Sequence, residues 1–110
     1  MFKYSFDSTL TILDSSRFSF KKIKIKDFFD EILHPLNDKY MSCTWEQVKQ
    51  KKHFHEIDIN KLDNKTILKA GENKVYQIAV KGEGRVCGII IKETFIIISY
   101  DKNHNIYNQS

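Results

Sequence analysis

At 110 residues the chain is too short to divide into separate cores, so residues 1–110 are read as a single domain. A hydrophobic share of 41% beside 29% charged residues excludes a disordered chain, and four glycines with one proline exclude collagen-like or low-complexity sequence. Lys and Arg number 18 against 14 Asp and Glu, a surplus of +4 that permits a polyanionic partner without establishing one.

From the N-terminus, Phe2 to Leu13 alternates unevenly (Phe2, Tyr4, Phe6, then Leu10, Ile12), which predicts one or two strands with a turn at Asp7-Ser8. A polar gap at Asp14-Ser15-Ser16 precedes Phe18 and Phe20. In the following KKIKIK, Ile23 and Ile25 alternate with Lys22, Lys24 and Lys26, a pattern that fits a strand with one basic face or the start of an amphipathic helix. Ile25, Phe28, Phe29, Ile32, Leu33 and Leu36 recur at helical spacing and favour a helix from about Ile25 or Asp27 to about His34, which Pro35 ends or kinks. Thr44 to Gln50 reads as a second short helix, with Thr44 as N-cap and Gln47 completing a capping box.

HFHEIDI, residues 53 to 59, alternates strictly and reads as a strand. Asn60 to Leu68 follows as a turn or short helix, and residues 70 to 73 as a loop. Val75 to Val80, Arg85 to Ile91 and Thr94 to Tyr100 are β-branched or aromatic runs separated by Lys81-Gly82-Glu83-Gly84 and Lys92-Glu93, which predicts a three-stranded antiparallel meander. Because GIII and FIIIS are nearly continuous in apolar residues, these strands are expected at the centre, covered by helices. The expected class is α+β: an antiparallel sheet of this meander plus N-terminal strands, with one or two helices packed on it, in the order ββ-α-α-β-α-βββ.

Cys43 and Cys87 stand far apart with no CxxC spacing, which argues against a disulfide scaffold and a cysteine-pair zinc site. The N-terminus has no apolar signal core, and no run approaches the length of a membrane span, so a soluble cytoplasmic protein is expected. Glycine-rich phosphate loop, nucleophile elbow and HExxH are all missing from the sequence.

Three polar groupings remain. His53 and His55, after Lys51-Lys52, would share one face of a strand, as metal ligands (though no nearby Cys or consistently spaced carboxylate completes a site), as an acid–base pair, or as one packed and one solvated ring. Asp101 and His104 leave the most hydrophobic strand, either as a tuned pair in a cleft or as ordinary turn residues. Arg85, one of only two arginines beside sixteen lysines, offers a donor fork for phosphate or serves as a hairpin charge. The strip of Lys21, Lys22, Lys24 and Lys26 is either a solvated face or part of a polyanion surface.

TWEQVKQKKHFHEIDINKL together with RVCGIIIKETFIIISYDKNHNIYN resembles small bacterial proteins that combine a TWxE-type helix (here TWEQ), a basic-plus-His segment and a strand-ending D-x-N-H-x-h-Y tail. These look like relatives of the RelE/ParE-type toxins of toxin–antitoxin systems, and the resemblance spans residues 44 to 107. Lys102 stands where many relatives have Pro, and Tyr100 where Trp or Phe is common. The resemblance implies an α+β fold with a basic, concave sheet face that cuts mRNA, including ribosome-bound mRNA, in RelE-like members or targets DNA gyrase in ParE-like ones. It also implies a cognate antitoxin protein as partner, no membrane, and metal-free, cofactor-free cleavage in which an RNA 2′-hydroxyl attacks the adjacent phosphate.

On that reading Arg85 and Lys52 would stabilise the developing charge, and His104 or His55 would move the proton, with Asp101 orienting His104. Tyr107 would stack on a base, while Lys22, Lys24, Lys26, Lys51 and His53 would hold the backbone. A non-catalytic protein-binding toxin and a plain nucleic-acid-binding domain remain as alternatives.

Overall fold

Along the described residues, 1–14 and 18–103, the computed structural model begins with β1 (Tyr4–Phe6). One long helix follows, built from α1 (Ile25–Phe28), a π-helical stretch (Phe29–Leu33) and α2 (His34–Tyr40). Next come α3 (Trp45–Lys49), β2 (His55–Glu56), a 3-10 turn (Ile59–Lys61) and α4 (Asn64–Ala70). The chain closes with β3 (Tyr76–Ala79), β4 (Arg85–Ile91) and β5 (Thr94–Asp101). Among the described residues the five strands form one sheet in the order β1-β5-β4-β3-β2. The class is α+β, as the patterning predicts.

β3, β4 and β5 form the expected antiparallel meander, with Ala79 opposite Arg85 and Arg85 opposite Asp101. The N-terminal segment departs from the expected all-antiparallel sheet: β1 joins β5 in parallel, Tyr4 opposite Phe95, so the sheet is mixed. That pairing is made across nearly the whole chain rather than through a hairpin, and no local turn dictates its direction. Among the described residues no second N-terminal strand forms. Asp7 instead accepts from the backbone N–H groups of Thr9 and Leu10 and from the Thr9 hydroxyl, an Asx turn that lifts the chain out of the ladder. The chain then tracks the outer side of β5, through Ile12 N–H to Ile98 O and Tyr100 N–H to Phe18 O.

Both faces of the sheet are covered, as the continuous apolar runs require. Ile78, Val80, Val86, Phe95 and Ile97 face Ile32, Leu36, Tyr40 and Val48 of the helices. Cys87, Ile89 and Ile98 face Ile12, Phe18, Leu62 and Ala70 on the opposite side. At Gly88 the ladder slips by one residue, since Cys87 pairs with Ser99 but Gly88 with Ile97. A Cβ at Gly88 would stand 2.2 Å from the Ile96 carbonyl oxygen, so only glycine admits this approach of the strands.

Of the two effects expected of Pro35, ending or kinking the helix, the helix does not end there. The turn before it widens into the π-helical stretch, where His34 N–H bonds the Phe29 carbonyl five residues back. Such widening relieves the ring clash that proline imposes on a regular turn. Pro35 also brings no N–H to the Glu31 carbonyl, and the Lys81 N–H of the β3–β4 turn donates to that oxygen at 3.3 Å. The helix therefore continues to Tyr40 and carries Lys39 and Tyr40 to the end of β3. The capping box at α3 forms as predicted: Gln47 N–H donates to Thr44 Oγ1 at 3.1 Å and Thr44 N–H to Gln47 Oε1 at 2.9 Å.

Candidate functional site

The basic segment after α3 is fixed at both ends by its neighbours. Lys51 N–H bonds Val48 O, and Phe54 N–H bonds Lys51 O, closing a turn over residues 51 to 54. Phe54 is buried and stacks on Tyr76 with ring centroids 5.3 Å apart, which anchors the turn to β3. Lys51, Lys52 and His53 are left exposed on a rigid base.

These three residues meet Lys39, Tyr40 and Ala79 around a concavity of about 320 Å³. Tyr40 donates its hydroxyl to Ala79 O at 2.6 Å, and Lys39 Nζ donates to Val80 O at 2.7 Å, so the helix end is bolted to β3. The Lys51 ammonium lies 5.9 Å from the centroid of the Tyr40 ring, a cation–π distance. Burial pushes the Tyr40 phenol up to about 12, with the positive charge of Arg85 pulling the other way, so it is a neutral hydrogen-bond donor at physiological pH. No carboxylate lines the concavity among the described residues. Three ammonium groups and an imidazole thus surround a hollow with no carboxylate in its lining, which gives it a positive potential.

The remaining sequence-predicted residues lie elsewhere. Arg85 is 6% exposed, and its Nη1 donates to Gly82 O at 3.0 Å and Gly84 O at 2.9 Å, so the hairpin-charge reading describes its contacts. Asp101, opposite it in the ladder, is 2% exposed. The expectation that His53 and His55 share a strand face is not met, because the turn closed by Phe54 delays the strand until His55. His53 lines the basic hollow, whereas half-buried His55 stands in the ladder opposite Gln77. Ladder spacing puts the His55 and Arg85 backbones on the order of 12 Å apart, two strands over and two residues along. Lys22 lines a second hollow of about 360 Å³ at the end of β5, where Asp27, Glu31 and Asp101 face Lys22 and Lys102. Lys24 and Lys26 are exposed at the start of α1. His104 and Tyr107 fall outside the described residues.

Two features escaped the sequence reading. Lys39 and Tyr40 join the basic site only because the helix runs past Pro35. A polar row, His55–Gln77–Cys87–Ser99, crosses β2 to β5 inside runs that read as apolar. Burial, with the Asp101 charge adding to it, pushes the Cys87 thiol up to about 12, while Ser99 and Gln77 pull it down. This thiol is therefore an interior group rather than a nucleophile. Among the described residues no three His, Cys, Asp or Glu side chains gather as a metal-holding group, and no helix is long and apolar enough to cross a membrane. Compared with protein-family models, curated proteins and solved structures, the chain finds no match.

Proposed function

We propose that this protein is an RNA-directed toxin of the RelE type, and that it engages the RNA backbone at the hollow formed by Lys39, Lys51, Lys52 and His53. The observation that carries the reading is the convergence of these cations, from the end of α2 and from the turn after α3, on a concavity with no carboxylate in its lining. Lysine ammonium groups there replace the counterions of the phosphates and give affinity without sequence preference. The buried Tyr40 ring serves as the floor under the Lys51 charge.

Within this reading the cutting step falls to the same hollow. His53 is the imidazole at its lining, with Lys52 beside it to offset charge on the phosphate. Arg85 and Asp101 are buried in the sheet and act on its shape rather than on a bound strand. The test is incubation of the purified chain with a labelled mRNA, alone and with ribosomes. Cleavage that His53→Ala abolishes, with RNA affinity retained, supports an endoribonuclease at this site. Binding that Lys51→Ala/Lys52→Ala removes, with intact RNA throughout, supports the non-cutting nucleic-acid-binding alternative. Absence of RNA binding, with growth arrest and inhibited gyrase supercoiling, overturns the RNA reading in favour of a protein-directed toxin.

A further inference from the structure

Two stretches of the chain carry opposite versions of one pattern: Lys22-Ile23-Lys24-Ile25-Lys26 and Glu56-Ile57-Asp58-Ile59. The first opens α1, where Ile25 is 78% exposed and Phe29, one turn on, is also exposed. The second forms one wall of a groove of about 540 Å³ between the β2 end of the sheet and α4. Ile57 and Leu62 floor that groove, Ile59 is 56% exposed at its rim, and Glu56, Asp58 and Glu72 outnumber Lys74 along it. On a chain of net charge +4 this is a local reversal of sign.

We infer that these two surfaces bind each other between copies of the chain. Ile25 of one copy enters the groove of the next, with Lys24 and Lys26 opposite Glu56 and Glu72. The charges are complementary, and each surface exposes aliphatic side chains that its own core does not use. The surfaces cannot satisfy one another within one copy. α1 packs beside β1, with the Phe28 and Phe6 rings 5.3 Å apart, whereas the groove adjoins β2 at the opposite edge of the sheet. Contact between different surfaces at opposite edges is head-to-tail, so it builds rings or open chains rather than a two-fold dimer. The Lys39, Lys51, Lys52 and His53 hollow takes no part and stays open to its own ligand.

Sedimentation velocity on the full chain tests this. At low salt the wild-type sedimentation coefficient should rise with concentration, and the rise should vanish at high salt. Lys24→Glu/Lys26→Glu and Glu56→Lys/Glu72→Lys alter exposed positions, so both variants should keep the wild-type circular dichroism and remain monomeric. An equimolar mixture of the two should recover the association, because each altered surface then meets its complement. A wild type that stays monomeric at low salt, association that persists in both variants, or a mixture that fails to associate overturns the inference. So does loss of RNA binding in Lys24→Glu/Lys26→Glu with no change of mass, which would make the strip an RNA contact. Failure of RNA binding at the Lys51–Lys52 hollow leaves the sedimentation result untouched, so the two readings fall separately.

Discussion

The affinity of the basic hollow for RNA should be read out by salt. Each phosphate neutralised on a single strand contributes about −0.7 to the slope of log affinity against log salt concentration. Lys39, Lys51 and Lys52 line the hollow together. Three contacts give a slope of about −2.1, so a rise of about fourfold in salt should weaken binding about 18-fold. Lys52→Ala should reduce the slope to about −1.4 and the loss to about sevenfold. Lys51→Ala/Lys52→Ala leaves Lys39 alone, with a slope of about −0.7 and a loss of about threefold over the same range. Both lysines are exposed in a turn anchored by Phe54, so the variants should unfold at the wild-type temperature. The measurement is fluorescence anisotropy of a short labelled single-stranded RNA across a salt series. A slope that neither substitution changes, or one that Lys24→Ala/Lys26→Ala lowers by as much, would refute the placement of the backbone in this hollow.

Other expectations concern the scaffold that holds the hollow. Gly88→Ala sets a Cβ against the Ile96 carbonyl, a backbone atom that cannot swing aside, and should cost several kcal/mol, about 4 or more, in a urea titration. A midpoint within error of wild type would show that the strands part freely there. Thr44→Ala removes the cap of α3 and should cost about 1 kcal/mol, with the RNA slope unchanged. A measured loss near zero would assign the start of α3 to packing instead. The Cys87 thiol, ordinarily at 9.0, is pushed up to about 12 in the fold, so the unfolded chain releases this proton first. Stability from this group is complete below about pH 9 and should then fall by about 1.4 kcal/mol per pH unit as pH rises toward 12. Tyr40 and Tyr100, both raised to about 12, act in the same direction. Thermal melts should show a shallower alkaline decline for Cys87→Ala, and parallel curves would contradict the assignment.

What the sequence disclosed was what neighbours along the chain decide. The Thr44–Gln47 box and the meander from Val75 to Tyr100 were legible because caps, turns and β-branched runs act over a few residues. The parallel pairing of β1 with β5 was not, since Tyr4 and Phe95 pair across nearly the whole length of the chain and no local turn sets their direction. Pro35 read as a stop or a kink, and the residues around it in sequence do not choose between the two. A widened turn and a donor from Lys81, distant in sequence, let the helix continue. The candidate site divided in the same way. Lys51, Lys52 and His53 announced themselves as a cluster, but their companions Lys39 and Tyr40 depended on the helix continuing. His55 was separated from His53 by a single turn hydrogen bond, from Phe54 to Lys51. The row Gln77–Cys87–Ser99 lay hidden because three polar residues spread over three apolar strands form no pattern until the strands align.

The join between Glu31 and Lys81 is made by main-chain atoms on both sides. Its strength is therefore blind to the side chains that stand there, and an alanine scan across the turn and the helix would pass over it in silence. Pro35 bears on the join through the donor it lacks, since proline has no N–H to offer the Glu31 carbonyl. Pro35→Ala would supply a competing N–H from within the helix, and the effect would surface at a distance, as faster amide hydrogen exchange at Lys81.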